Sequence, residues 1–312
     1  MVKYQLRPLT PDDKYEYSEL LYGSFNYWYR THGWPTDYFK GGPRVTEVFF
    51  DVYNDLNPGC NVAAVNSETG MLMGSCFYHP RERHVSLGIM SVHQNYCGLG
   101  IGKALVNHII DFTEKNGYKT LRLVGSAINM NSFSLYNRAG FVPRHVYHDM
   151  VVNVPLAGMK ATTEGRGRVR DAVLDDIPAM AALELEVSGI TREKDYRYCI
   201  ENKRGYFHAS VLESPNGGAI EGFMISVRHP ALNMLGPCVA RTEDDTAALI
   251  LKELDRFKGL APLMVIPMDR RKLVETLYSW GAINVETHLF QVRGEFQQFN
   301  GVNLPSFLPE TG

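Results

Sequence analysis

Three closely spaced glycines, Gly98, Gly100 and Gly102, lie between an apolar, β-rich run and a stretch with helical apolar spacing. The first turn of a helix presents backbone N–H groups without helical partners, and it carries the positive end of the helix dipole. Glycine allows a ligand to approach the backbone closely because it has no Cβ. The pattern therefore predicts a strand, a loop and a helix N-terminus that together bind a phosphate group.

Two nucleotide-binding motifs can be excluded from the spacing of this loop. A Walker loop requires glycine where Cys97 stands and Ser or Thr where Ala104 stands. A dinucleotide fingerprint that begins at Gly98 requires its third glycine where Lys103 stands. The phosphate-binding loop therefore belongs to neither class.

The remaining pattern is Val-x-x-x-x-(Arg or Gln)-x-x-Gly-x-Gly, and residues 92–102 resemble this motif of the GNAT (general N-acetyltransferase) superfamily. Cys97 stands where the family usually has Arg or Gln. Residues 129–141 resemble a second family motif, Asn-x-x-Ala-x-x-Leu-Tyr-x-x-x-Gly-Phe, with Ser132 in place of the common Ala. The resemblance covers essentially residues 1–153 and, more weakly, residues 168–293.

The resemblance implies an acetyl-CoA-dependent N-acetyltransferase that transfers acetyl directly to the primary amine of an acceptor. In the family, backbone amides of the loop hold the pyrophosphate, and the tyrosine of the second motif, here Tyr136, is the usual general acid for the departing thiolate. A core packing role is the alternative for Tyr136. The implied cofactor-binding residues are Met90, Val92, Cys97, Gly98, Leu99, Gly100, Ile101, Gly102, Lys103, Asn129, Ser132 and Tyr136.

The general base is not settled by the sequence. Four candidates lie near the strands of the donor site: Glu82, His84, His93 and Asp149. A histidine has a pKa suited to this task, whereas Glu82 would need a raised one. Each of the four could equally be a surface residue, and many members of the family use water relays instead.

The pattern of the first half predicts an antiparallel meander that runs into a βαβ crossover, and hence a mixed sheet. We expect strands at 61–65, 71–78, 84–92, 120–124 and 146–152, and helices at 102–115 and 131–138. The apolar spacing of Leu105, Ile109, Ile110 and Phe112 indicates that the first of these helices has a buried face.

The two halves of the chain resemble each other weakly, and a stretch rich in glycine and small residues, 154–167, separates them. Leu6–Asp13 and Val169–Asp176 each read as a short strand followed by an acidic helix start. We therefore predict an α/β (α+β) protein of two tandem GNAT-like domains, each a mixed, mostly antiparallel sheet flanked by helices. The boundaries are 1–153 for the domain with the intact loop, 154–167 for the linker and 168–312 for a degenerate copy with a C-terminal tail. Two unrelated α/β domains are the alternative.

The second half lacks the glycine loop. Where the first half has glycines, it has Glu243, Asp244 and Asp245 leading into a helix expected at 246–257. Carboxylates at a helix start would occupy the dipole site and repel a pyrophosphate. We therefore expect one CoA per chain, and a second half that walls the acceptor site or mimics a partner subunit.

Thirteen aromatic residues lie between Tyr15 and Tyr53, in the part of the chain that varies with the acceptor in the superfamily. This composition favours an acceptor with an apolar or aromatic portion, and filling of an interdomain core is the alternative. Small-molecule and peptide amines both remain open. A non-catalytic acyl-CoA-binding regulatory module is the alternative function, and a protein-interaction scaffold is disfavoured by the intact loop.

Composition narrows the remaining function classes. With 32 Lys and Arg against 34 Asp and Glu, the net charge of −2 gives no global attraction to nucleic acid or to an anionic membrane. The five cysteines form neither a CxxC pair nor a cluster at metal-ligand spacing, so we expect no metal and reduced thiols in the cytoplasm. We expect a monomer or a homodimer.

The two ends of the sequence carry little targeting information. The N-terminal stretch 1–8 lacks the apolar core of a signal peptide, and no apolar run is long enough to span a membrane. Residues 308–312 match a cell-wall sorting pentapeptide. That signal needs a secretion signal and a hydrophobic tail, so we interpret the match as coincidental or as an addition to the natural chain.

Overall fold

The computed structural model describes residues 3–312, and Met1 and Val2 of the N-terminal stretch lie outside the described residues. The elements of the first half are β1 (Tyr4–Arg7), α1 (Lys14–Thr31), α2 (Glu47–Leu56), β2 (Asn61–Asn66), β3 (Leu72–Pro80), β4 (Val85–Val92), α3 (Ile101–Lys115), β5 (Thr120–Ser126), α4 (Met130–Arg138) and β6 (Val142–Val151). The elements of the second half are β7 (Val169–Asp171), α5 (Ile177–Ser188), α6 (Glu193–Glu201), β8 (Phe207–Glu213), β9 (Ile220–His229), β10 (Leu232–Ala240), α7 (Glu243–Leu254), β11 (Leu263–Pro267), α8 (Arg271–Ser279), β12 (Ile283–Gly294) and β13 (Val302–Leu304).

The second half repeats the element order of the first, and β13 follows as an addition. This repeat, and the mixed sheet with helices around it, confirm the predicted tandem fold. Helix α7 starts three residues earlier than expected because Thr242 is its N-cap and accepts from the Asp245 amide at 3.1 Å. Residues 152–165 contain no helix or strand, and the domain boundary placed there stays a prediction.

A matching ion pair opens each half. Arg7 donates two hydrogen bonds to Asp13, at 2.6 and 2.7 Å, and Arg170 donates two to Asp176, at 2.7 and 2.8 Å. Both aspartates also accept a backbone amide three residues earlier in the chain. The Arg7 guanidinium lowers the pKa of Asp13 to about 2, so the carboxylate stays charged near neutral pH. The same hydrogen-bonded Arg–Asp pair at the start of each half favours a duplication over the alternative of two unrelated domains.

One continuous sheet joins the two halves, in the order β1-β2-β3-β4-β5-β12-β6-β11-β10-β9-β8-β7. Strand β12 of the second half lies between β5 and β6 of the first, antiparallel to both. Strand β6 in turn lies between β12 and β11 of the second half. Each half therefore contributes one strand to the sheet of the other.

Helix α3 is held on the sheet by a narrow apolar face. Leu105, Val106 and Ile109 are completely buried and belong to the same core cluster as Leu121 and Leu123 of β5. Burial of a side chain of this size contributes about 1.5–3 kcal/mol. This packing fixes the start of α3, and with it the glycine loop, relative to β4 and β5.

The longest helix, α1, has 18 residues and is amphipathic. Tyr17, Leu20 and Leu21 are buried on one face, whereas Tyr15 and Tyr27 are exposed. No helix within residues 3–312 combines the length and the apolar character that crossing a membrane requires.

The contact between β12 and β5 gives a test of the strand exchange. Gly294 pairs with Thr120 and has φ +96°, and a Cβ at Gly294 would lie 2.1 Å from the Lys119 carbonyl oxygen. We expect Gly294→Ala to lower the free energy of unfolding by more than about 1 kcal/mol, because left-handed backbone and a backbone clash both oppose the side chain. Urea denaturation measures the change.

Gly23→Ala is the matched control. Gly23 lies inside α1, has ordinary helical geometry and has no atom within 4 Å of an added Cβ. Alanine is favoured over glycine by roughly 0.5–1 kcal/mol in a helix, so this variant should be at least as stable as the parent. Equal stability of Gly294→Ala and the parent would contradict the constraint at the β5–β12 contact.

Candidate active site

The glycine loop leaves the end of β4 and enters α3 at Ile101. Gly98 and Gly100 have φ values of +79° and +86°, in the left-handed region that glycine adopts without a Cβ clash. Gly100 is the N-cap of α3, and its carbonyl accepts from the amide of Ala104 at 3.0 Å. The three amides that precede this bond have no helical partner. The predicted anion-binding geometry is therefore present.

A cavity of about 850 Å³ opens beside the loop, where β4 and β5 diverge. The two strands pair in parallel at Val85–Leu121 and Ser86–Arg122, and residues 87–92 and 123–126 then line the cavity. Of the residues expected to hold the cofactor, those in its lining are Met90, Val92, Cys97, Gly98, Gly100, Ile101, Gly102, Lys103, Asn129, Ser132 and Tyr136. The side chain of Leu99, on the same loop, is exposed.

Tyr136 lies on α4 in the wall of the cavity and is 7% exposed. Its ring meets the ring of Phe141 edge-on at 5.8 Å. Burial raises the pKa of Tyr136 above its ordinary value of 10, and Cys76 and Glu310 add to the effect. A phenol with a raised pKa stays protonated at neutral pH, so Tyr136 can donate a proton while also packing the helix.

The two departures from the family motifs have local consequences. Cys97 lies with Sγ 3.8 Å from the His93 carbonyl oxygen, and burial raises the pKa of its thiol. It therefore supplies no positive charge near the loop. At the second motif, the Asn129 side chain accepts from the Ser132 amide at 3.0 Å and caps α4, which leaves its Nδ2 group for a ligand.

None of the four general-base candidates is among the described residues that line the cavity. Glu82 lines a separate groove. His84 is completely buried, and among the described residues neither of its ring nitrogens has a hydrogen-bond partner. Burial lowers the pKa of His84 well below 6.5, so it stays neutral. His93 accepts from the Asn95 amide at 3.2 Å and thus fixes the loop. These positions do not favour Glu82, His84 or His93 as the base.

Asp149, the fourth candidate, reaches the cavity through a residue that we did not predict. The Asp149 Oδ1 atom lies 2.8 Å from Nδ1 of His288, and His288 lines the cavity. Glu286 lies beside this pair and accepts from Ser126 and, at 2.8 Å, from the Tyr29 hydroxyl. Ligand atoms of the two carboxylates and His288 lie within 4.8 Å of one another, a spacing that could also hold a metal ion.

The sequence motifs of the first half could not have predicted the places of His288 and Glu286. Both residues belong to β12, and they reach the cavity because β12 pairs with β5. His288 lies opposite Ser126, the last residue of β5. The strand exchange therefore completes the active site as well as the sheet.

Aromatic residues of the first half form the part of the cavity wall that adjoins this cluster. Tyr29 and Tyr38 stack with ring centroids 4.4 Å apart, and Phe25, Trp28 and Phe39 extend the wall. Other aromatic residues of the segment pack in the core instead: Tyr17, Phe50 and Tyr53 surround Phe77. Some aromatic residues of the segment therefore line the cavity and others fill the core, and the aromatic acceptor stays a prediction.

The last residues of the sequence pack into the interior beside the cavity. Arg81 donates to the Glu310 carbonyl at 2.6 Å, and Ser86 of β4 donates to the Gly312 carbonyl at 2.9 Å. The side chain of Glu310 lines the cavity, and burial raises the pKa of its carboxyl group well above 4.5. Sequence motifs did not predict that residues 308–312 would lie at this site.

The equivalent region of the second half is filled and its helix N-terminus is occupied. Strand β13 pairs with β10 at residues 238–240, beyond the parallel pairing of β10 with β11 at residues 234–235. At the start of α7, Glu243 accepts from the Leu273 amide at 2.6 Å, and Asp245 pairs with Arg168 at 2.8 Å. No open glycine loop is present at this end of α7 in the described chain.

Comparisons with known proteins agree with this geometry. Residues 26–141 match the model of the acetyltransferase (GNAT) family. An uncharacterised N-acetyltransferase of Methanocaldococcus jannaschii is 26% identical over 151 residues, which are 46% of this chain and 62% of that protein. The chain thus spans less than two thirds of this curated relative.

Two solved structures resemble nearly the whole chain. A candidate acetyltransferase of Pyrococcus horikoshii has a TM-score of 0.76 at 16% identity, over 98% of this chain and 95% of that one. A tandem GNAT protein from the clavulanic acid biosynthesis pathway has a TM-score of 0.61 at 16% identity, over 94% of this chain and 98% of that one. At these identities the likeness establishes the fold.

The motif-bearing half and the repeated fold define a tandem GNAT architecture. Residues 26–141 thus match the GNAT family model, and the chain as a whole has the fold of these solved structures.

Proposed function

We propose that the protein is an acetyl-CoA-dependent N-acetyltransferase that acts on the primary amine of a small molecule or peptide. The observation that carries the proposal is a single cavity shared by the glycine loop, the diverging strands β4 and β5, Tyr136 and the aromatic wall. The first three parts suit the donor, and the last suits an acceptor.

The glycine loop supplies main-chain groups suited to the pyrophosphate of CoA, and the diverging strands supply main-chain groups suited to the pantetheine arm and the thioester. Free amides at the start of α3 favour the negative charge of a pyrophosphate. Where β4 leaves β5, the backbone of Met90 and Val92 is available to the amides of a pantetheine arm and to the thioester carbonyl. This anion site uses backbone amides, so the nearly neutral chain needs no surplus of basic residues.

Acetyl transfer requires orientation of two substrates and movement of protons. The acceptor nitrogen attacks the thioester carbonyl carbon, and the C–S bond then breaks. Tyr136, a protonated phenol in the cavity wall, donates the proton that the departing sulfur takes. Backbone N–H groups of β4 would stabilise the negative charge that develops on the carbonyl oxygen.

The cavity wall favours an amine with an apolar or aromatic portion. Trp28, Tyr29 and Tyr38 offer aromatic faces, and the buried Glu286 accepts from the Tyr29 hydroxyl without lining the cavity itself. An ammonium group is attracted by aromatic faces. An aromatic amine therefore fits this half of the cavity better than a purely polar polyamine does.

An acceptor screen tests the proposal. Purified protein is incubated with acetyl-CoA and a panel that includes phenethylamine, tryptamine, short peptides, lysine and spermidine. We expect free-thiol release above the no-amine rate, with aromatic amines preferred, and mass spectrometry should find the acetylated amine. Binding of acetyl-CoA without turnover of any amine would instead indicate an acyl-CoA-binding regulatory module, and a clear preference for spermidine would refute the aromatic acceptor.

The role of Tyr136 is tested by Tyr136→Phe. Loss of a general acid lowers rates by about 10²–10⁴-fold, so we expect kcat to fall by at least about 10²-fold. The dissociation constant for acetyl-CoA, from calorimetry, should change little. Tyr118→Phe is the control because Tyr118 lines the separate groove. An unchanged kcat in Tyr136→Phe would leave Tyr136 with the packing role alone.

Calorimetry also tests how many donor sites the chain has. We expect one CoA per chain, because β13 and the carboxylates of α7 fill the equivalent region of the second half. Gly100→Ala should weaken binding by roughly 10-fold, since strain of about 1–2 kcal/mol opposes the left-handed loop conformation. Thr242→Ala, at the start of α7, should leave it unchanged. Two equivalent sites per chain would refute the expectation.

A further inference from the structure

The pair of Asp149 and His288 lies where two strands from different halves meet. Asp149 is on β6 and His288 is on β12, and the two residues are 3% and 7% exposed. Because Nδ1 of His288 points to Asp149 at 2.8 Å, Nε2 is the ring nitrogen left for the cavity that His288 lines. A carboxylate on Nδ1 favours the tautomer with its proton there, so Nε2 carries the lone pair.

Two carboxylates lie close to the imidazole of His288. The charged or titratable groups packed around His288 are Asp149 on β6 and Glu286 on β12, and the Tyr29 hydroxyl of α1 donates to Glu286. The ring of Phe307 lies 5.1 Å from the imidazole and adds no charge. Asp149 and Glu286 together raise the pKa of His288 against the opposing effect of burial.

The other titratable groups of the region are poorly suited to accept a proton. The carboxyl group of Glu310 has a strongly raised pKa and is therefore protonated near neutral pH. Glu286 already accepts hydrogen bonds from Ser126 and Tyr29. His84 is sealed beneath the cavity. His288 is the group with both access to the cavity and a free lone pair.

We propose that His288 of the second half is the general base that takes a proton from the acceptor ammonium, and that Asp149 positions its ring. The inference rests on the proposed acetyltransferase function and deepens it. It makes the second half a part of the catalytic machinery, although that half lacks an open donor site of its own.

The proposed transfers account for every proton of the reaction. Nε2 of His288 takes one proton from the ammonium, which frees the nitrogen lone pair for attack on the thioester carbonyl. The nitrogen loses a second proton to solvent as the C–N bond forms and the C–S bond breaks, and Tyr136 gives one proton to the sulfur. Tyr136 regains a proton from solvent and His288 releases its own. The net products are the amide, CoA thiol and one proton in solution.

The pH dependence has a definite sign. His288 must be unprotonated to act, so kcat/KM should rise with pH through the pKa of His288. Asp149→Asn removes a carboxylate that raises this pKa, so the acidic limb of the profile should move to lower pH. The rate at the optimum should also fall, because the fixed tautomer is lost.

The experiment compares His288→Gln, His288→Gly and Asp149→Asn with Glu310→Gln, using the best amine of the acceptor panel. We expect kcat/KM of His288→Gln to fall by at least about 10²-fold, with the acetyl-CoA dissociation constant unchanged and the acidic limb lost. Added imidazole should restore activity to His288→Gly, which a purely structural role would not allow. Glu310→Gln should keep the parent acidic limb.

The possible failures are distinguishable. If the parent protein acetylates an amine and His288→Gln matches its rate and pH profile, the role of His288 is refuted while the proposed function stands. If Glu310→Gln loses the acidic limb and His288→Gln keeps it, the base is Glu310. If the parent protein turns over no amine of the panel while binding acetyl-CoA, both proposals are overturned.

Discussion

The insertion of β12 between β5 and β6 is the constraint on which the rest of the structure depends. Main-chain hydrogen bonds along β12 hold it against two strands of the other half, and β6 is held in the same way against β11. Without this exchange, β5 and β6 would present unpaired edges. The same strand carries His288 and Glu286 to the end of β5. The strand pairing that makes the sheet continuous therefore also places these two residues at the candidate active site.

Each half contains two neighbouring strands that diverge, but the gap between them is open in the first half and filled in the second. Between β4 and β5 the gap stays open and contains the cavity, whereas between β10 and β11 the gap receives β13. The starts of the two equivalent helices differ as well. The N-cap of α3 is a glycine in the left-handed region, whereas the N-cap of α7 is a threonine that three carboxylate side chains follow. A helix N-terminus that is already neutralised by its own chain has little attraction left for a phosphate.

The local elements of the first half could be predicted from sequence, because turns, glycines and apolar spacing act over a few residues. The glycine loop, Tyr136 and the order of strands around them follow from such signals. The partners of β6 and the place of His288 could not, because β5 and β12 are more than 150 residues apart and several pairings satisfy the same apolar pattern. His84 illustrates the same limit: its residue type suits catalysis, but only the packed structure shows that it is sealed from the cavity.

The exchanged strands also bear on how this chain could have evolved. A two-fold arrangement in which identical subunits trade a strand becomes, after gene duplication and fusion, a single polypeptide with the same interlocked sheet. A duplicated chain of this kind can keep the exchanged strands as a shared scaffold while an open ligand loop is present in one half alone, as in the described residues of this chain.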